Sequence, residues 1–243
     1  VNKAVDSLYE CKSDLEICEE LAARLGISNY NVKTEEELLW EAAGSVQAIT
    51  DYDEFKRQGI WRAELTEYVP FKEQIADPEN NPFPTASGKI EIYSQGLADL
   101  NNPGLPPVPK YFEGWEKPLI ERYPLRLYSV HSITHAKSQF HNTPWLRELE
   151  PHMLWINPVD ALPKGISDGD SVKVFNDRGQ ILVTAKVTER IMPGVISMAD
   201  GAWYNPDESG IDKGGCHNVL TSDEISPGSA FTCNSSLAQV ERA

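Results

Sequence analysis

The chain has 243 residues, 40% of them apolar, enough for one large or two smaller domains with a real core. Its 37 acidic and 22 basic residues leave a formal net charge of -15, which argues against nucleic-acid binding, because phosphate contacts need clustered lysine and arginine. No stretch approaches the roughly 18 uninterrupted apolar residues of a membrane span, and no charged-then-apolar leader reads as a secretory signal.

The first part, residues 1–69, reads as acidic helix. It opens at Val1 rather than Met, as a processed or excised chain would. Ser13-Asp14-Leu15-Glu16 is a capping box, and Leu15, Cys18, Leu21, Ala22 and Leu25 recur at helical spacing before Gly26, where a left-handed cap belongs. Cys18 is expected to face the core. Thr34-Glu35-Glu36-Glu37 starts a second helix, with Leu38, Leu39 and Ala42 inside, and Thr50-Asp51-Tyr52-Asp53 a short third that ends near Gly59. The acidic first turns suit the positive ends of helix dipoles, so these carboxylates read as dipole partners and solvated faces, not catalytic acids. The four cysteines, Cys11, Cys18, Cys216 and Cys233, form no Cys-x-x-Cys pair. They read as buried thiols, with one disulfide left open, and not as a zinc or iron–sulfur site.

Residues 70–122 are dense in proline and glycine, which excludes long elements. One strand is expected there, Lys89-Ile90-Glu91-Ile92-Tyr93, which alternates after the turn residues Ser87-Gly88. The aromatics Phe112 and Trp115 should pin this ordered connector to the surface. Net charge is -11 over residues 1–122 (12 basic, 23 acidic) and -4 over residues 123–243 (10 basic, 14 acidic).

Residues 123–243 read as short strands. Asp170–Phe175 and Gln180–Val187 flank Asn176-Asp177-Arg178-Gly179, a hairpin in which Gly179 can take positive φ and Val172, Val174, Leu182 and Thr184 share one face. Met192-Pro193-Gly194 is a turn before the strand Val195–Met198. Such spacing argues for a barrel or sandwich. Asp170 is expected to accept backbone amides, and Asn157 and Asp160 to cap the helix after Pro158. The window Arg122–Arg147 lacks aspartate and glutamate, yet holds four cationic side chains and three of the five histidines. In so acidic a chain this is where an anion would be held, through a lysine point charge and the short-range donors of Ser, Thr, Asn and His.

That window follows the apolar strand Pro124–Val130. It precedes Met153–Ala161, Gly165–Val172, Asp177-Arg178-Gly179, Gly201-Ala202-Trp203-Tyr204 and Gly215-Cys216-His217-Asn218-Val219-Leu220-Thr221. In that order these motifs, which cover about half the chain, resemble the C-terminal cofactor domain of the dimethyl sulfoxide reductase family of molybdenum enzymes. The nearest likeness is to the anaerobic catalytic subunits. The resemblance implies a mixed α and β fold: a helical remnant of a preceding α/β domain, then a six-stranded double-psi β-barrel over residues 123–243.

It also implies a bis(molybdopterin guanine dinucleotide) molybdenum cofactor, with one dinucleotide covered by the barrel. His131, His135, Lys137, Ser138 and Asn142 fall on the family's contacting run, with Thr134 beside them, and Asn218 matches a family asparagine near the pterin. The family often has Arg where this chain has His135 and His where it has Lys137. Trp203 reads as core, and His152 and His217 as hydrogen-bonded structural histidines. The family's metal ligand lies earlier in the chain, as does any iron–sulfur cluster, so no residue here is expected to be catalytic or to bind metal. The implied reaction is R₂S=O + 2H⁺ + 2e⁻ → R₂S + H₂O. The implied partners are the remainder of the catalytic chain, an iron–sulfur electron-transfer subunit and a membrane anchor subunit, which would place the enzyme in the periplasm or at the membrane. Two alternatives stand beside this reading. One is a related selenate, polysulfide, nitrate or formate enzyme. The other is an acidic β-barrel that binds a protein or nucleotide without redox chemistry.

Overall fold

The structure, a computed structural model, describes all residues except 1, 2, 4, 63–66, 112–115, 227 and 228. Phe112 and Trp115 lie outside the described residues. The chain divides into two compact units, Val1–Pro84 and Thr85–Ala243.

The first unit is helical. Helix α1 (Asp14–Arg24) carries the expected capping box, with the Glu16 amide on the Ser13 hydroxyl at 3.2 Å and the Ser13 amide on the Glu16 carboxylate at 2.7 Å. Helix α2 (Glu35–Gly44) starts with the same box from Thr34 and Glu37. Helix α3 (Tyr52–Gln58) runs from an Asp51 cap to Gly59 in the left-handed region. A short α4 (Lys72–Ala76) follows. The apolar stripe is not a core. Leu21, Leu25 and Leu39 are exposed, Cys18 is half-buried, and Ala22 and Ala43 are the only buried apolar side chains among the described residues of this unit. Ala42, expected inside, is exposed one position away from Ala43, because three helices this short cover only a narrow line of contact. The cysteines are likewise not buried: Cys11 is exposed, the other three are half-buried, and all four are free.

In the second unit, residues 89–93 form no strand, and Ile90 and Ile92 are exposed. Their alternation has no neighbouring ladder to join, and the chain turns at once into α5 (Gln95–Asp99), capped by Ser94. Six strands then close a barrel in the order β1-β5-β2-β4-β3-β6. They are β1 (Leu125–Val130), β2 (Met153–Ile156), β3 (Ser171–Phe175), β4 (Gln180–Val187), β5 (Val195–Ala199) and β6 (Leu237–Arg242). Pairs β1·β5 and β2·β4 are parallel and the other four are antiparallel. Helices α6 (Pro144–Leu149) and α7 (Pro158–Ala161) flank β2.

The inward face is built by alternation: Leu125 and Leu127, Leu154 and Ile156, Val172 and Val174, Ile196 and Met198, all at most 3% exposed. On β4 the buried residues are Ile181, Val183 and Ala185, not Leu182 and Thr184. The loop of four residues sets Phe175 opposite Gln180, which pairs Val174 with Ile181 and Val172 with Val183. A register fixed that way puts odd-numbered β4 residues inside. Gly179 does not take positive φ. Its need is space, since a Cβ there would meet Val219 Cγ1 at 2.5 Å. Asn157 caps α7 through the Val159 amide, whereas the Asp160 carboxylate accepts the Gly194 amide at 2.7 Å and so ties α7 to the turn before β5. Asp170 accepts the Ser167 amide as expected.

Candidate functional site

The parallel pairing of β1 with β5 brings Val130 and Ala199 side by side, so the loops that leave both strands emerge at the same end of the barrel. The first is the 131–142 loop and the second starts Asp200-Gly201-Ala202. They meet the 212–221 loop around a pocket of about 760 Å³. Its walls include Lys137, Ser138, Asp200, His217 and Asn218.

Each of these is held from a different direction. Lys137 has φ +54°, and its carbonyl accepts a hydrogen bond from His135 Nδ1 at 2.6 Å. Gly201 lies against that carbonyl, where a Cβ would come within 2.1 Å of the oxygen. The Ser138 carbonyl accepts from the Trp203 indole at 2.7 Å. Trp203 is thus half-exposed, not core: its ring spans the loop and its N–H holds it. The Lys137 ammonium donates to Asp200 at 2.5 Å and to His131 Nε2 at 2.9 Å. On the other wall, Asn176 and Arg178 of the β3–β4 turn both donate to the Leu220 carbonyl, while Gly179 packs flat on Val219. The hairpin turn is therefore the platform for Asn218. Asp212, fully buried, takes the amides of Asn205, Gly214 and Cys216 and shapes the approach to that loop.

The structure brings Lys137, Ser138 and Asn218 into one pocket, with His131 beside Lys137. It places three of the expected residues elsewhere. Thr134 and His135 line a mostly apolar cavity of about 450 Å³ on the outer side of the same loop, and Asn142 lines a third hollow near Arg147. Thr134 is already committed, since its hydroxyl and amide both donate to Glu150, as do the Ser132 hydroxyl and the Ile133 amide. Burial alone would raise the Glu150 carboxyl, but those hydroxyls and amides outweigh it and hold it below the usual carboxylate range. Behind the loop His135, His141 and His152 stack edge to face at 5.4 and 5.7 Å. Burial, with His152, Arg147 and His135 close by, pushes the His141 ring down to about 4. His152 is lowered by burial too, only partly offset by its hydrogen bond to the Gly215 carbonyl. Among the described residues no group of three or more His, Cys, Asp or Glu is arranged to hold a metal ion.

Sequence reasoning missed Asp200, Asp212, Glu150, Asn176 and Arg178 as builders of this site. Asp200 was detectable as an isolated acid between an apolar strand and a glycine. Glu150, Asn176 and Arg178 act through groups 16 to 61 positions away, while Asp212 gathers amides of its own loop, 2 to 7 positions away.

The donor set suits a large anionic heterocycle. Among the described residues the Ser138 hydroxyl and the Asn218 side-chain amide have no protein partner, and the buried His217 Nδ1 has none either. A hydroxyl and an amide present donors and acceptors together, as a pterin edge requires, and the ammonium suits a phosphate. A molybdopterin dinucleotide therefore fits the residues present.

Comparison with known proteins agrees with that chemistry. Residues 125–234 match the molydopterin dinucleotide binding domain. The chain is 38% identical over 260 aligned residues to dimethyl sulfoxide reductase DmsA of Escherichia coli (strain K12), covering 99% of this chain and 32% of that protein. It is 37% identical to the dimethyl sulfoxide/trimethylamine N-oxide reductase of Cereibacter sphaeroides, covering 92% and 30%. The chain thus spans about a third of the length of these curated relatives. The acetylene hydratase from Pelobacter acetylenicus shares the fold, with a TM-score of 0.66 at 22% identity, over 100% of this chain and 34% of that one.

Proposed function

The chain belongs to the dimethyl sulfoxide reductase family of molybdopterin oxidoreductases, and from that premise we propose that it is the part of an S- or N-oxide reductase that covers one molybdopterin guanine dinucleotide. The observation that carries the reading is the 760 Å³ pocket into which exposed Ser138 and Asn218 bring polar side chains that make no hydrogen bond to another described residue. Bound there, the cofactor supplies the oxygen-atom transfer chemistry. The residues of this chain bind and orient it: the Ser138 hydroxyl and Asn218 amide address the pterin edge, Lys137 a phosphate oxygen, and His131 steadies Lys137. Thr134 and His135 serve the same end indirectly, by fixing the loop that presents Lys137 and Ser138. Asn142 offers an exposed amide further along the loop. The reducing electrons would arrive through an iron–sulfur subunit held to the membrane by an anchor subunit, as in the family. The relatives' names, dimethyl sulfoxide and trimethylamine N-oxide reductase, support an S- or N-oxide as substrate.

The test is metal and nucleotide analysis of the full-length protein made anaerobically in a cofactor-competent host. About one molybdenum and about two guanine nucleotides per chain are expected, and replacing Ser138 and Asn218 together by alanine should reduce both. A folded protein that carries neither would leave the fold without this function.

A further inference from the structure

We propose that Asp200 is a positioning residue, which fixes the Lys137 ammonium at the pocket in the orientation that receives an anionic oxygen; the inference rests on the dinucleotide reading above. Asp200 directly follows β5, and its amide extends the β1·β5 ladder by donating to the Val130 carbonyl at 2.9 Å. Its backbone is therefore part of the barrel end, not of a free loop. Its side chain is only 13% exposed and lies in the pocket wall, where Oδ2 takes the ammonium at 2.5 Å.

An ammonium has three hydrogens. One goes to Asp200 and one to His131 Nε2, which makes that nitrogen the acceptor and puts the imidazole proton on Nδ1. The third is left for a ligand, and its direction is set by the other two. The backbone of Lys137 is fixed as well, by its left-handed φ, by the His135 bond to its carbonyl and by the close approach of Gly201. Without Asp200 the four-carbon stem would be free to carry its charge into solvent, because the Lys137 side chain is 66% exposed. The carboxylate also offsets the lysine charge. Anions are then selected by hydrogen-bond direction, not by a broad positive field. Because one partner is so exposed, the pair adds little to stability, and its loss should appear in binding and not in unfolding.

A double-mutant cycle in the full-length, anaerobically expressed protein separates these roles. Asp200→Asn, Lys137→Met and the double variant are compared with wild type for molybdenum and guanine nucleotide retained after gel filtration, and for thermal midpoint. Each single variant should retain about tenfold less cofactor, the effect of losing one charge-assisted hydrogen bond. The double variant should retain no less than either single one, Asp200→Glu should recover most of the loss, and the midpoints should stay at the wild-type value. Wild-type retention in Asp200→Asn, or a full second loss when Asp200→Asn is added to Lys137→Met, overturns the inference while leaving the cofactor reading intact. A wild-type protein without metal and nucleotide overturns that reading, and the inference with it.

Discussion

At the scale of single residues, the site depends on close approach more than on charge. Gly201 is the clearest case. A side chain there must displace the Lys137 carbonyl and also adopt φ +86°. Gly201→Ala should therefore cost about 1–3 kcal/mol in a denaturant titration, with loss of cofactor out of proportion to that figure. The His141 ring supplies a pH dependence with a definite sign. Its folded pKa lies near 4, against 6.5 for the free group. Between those values the unfolded chain binds the proton more readily. Stability is thus fully present above about pH 6.5 and is lost as pH falls toward 4. Denaturation midpoints measured across that window should fall on acidification, and His141→Gln should flatten the slope. Lys137, Ser138 and Asn218, named in the sequence through the family resemblance, line one pocket in the structure. Arg178 left no local sign of its role, because its partner is a carbonyl 42 positions away, whereas Asp200, bonded to a lysine 63 positions away, left only the trace of an isolated acid between an apolar strand and a glycine.

At the scale of elements, three helix starts and the strands β1, β3, β4 and β5 were readable from local chemistry, whereas β2 and β6 were not read as strands. Ser13, Thr34 and Asp51 each cap a helix in the structure, since a cap is decided within four residues. Two readings failed because they needed a partner. Residues 89–93 alternate like a strand but find no ladder, and β4 turned its other face inward because the hairpin loop, not its own alternation, sets the phase. The corrected phase makes a prediction about the core. Ile181→Ala removes a fully buried side chain and should cost roughly 2–5 kcal/mol, whereas Leu182→Ala on the opposite face should cost less than half as much. Chemical denaturation of the two variants side by side checks this, and equal losses would contradict the register.

At the scale of the whole molecule the two units differ in what holds them. The second has a continuous core that runs through all six strands, and the first buries two alanines among its described residues. Limited proteolysis of the 243-residue chain should therefore cut within residues 1–84 well before the barrel, and hydrogen exchange should show slow amides only in the barrel strands. Early cleavage inside β3 or β4 would contradict this. The closure of the barrel also sets a timetable. Strand β6 pairs with both β1 and β3, so until it docks each of those two has an open edge. A ribosome delivers β1 first and β6 last, and during that interval the nascent chain exposes two unpaired edges to its neighbours. A nick that frees β6 should therefore yield aggregate, not an open but soluble barrel.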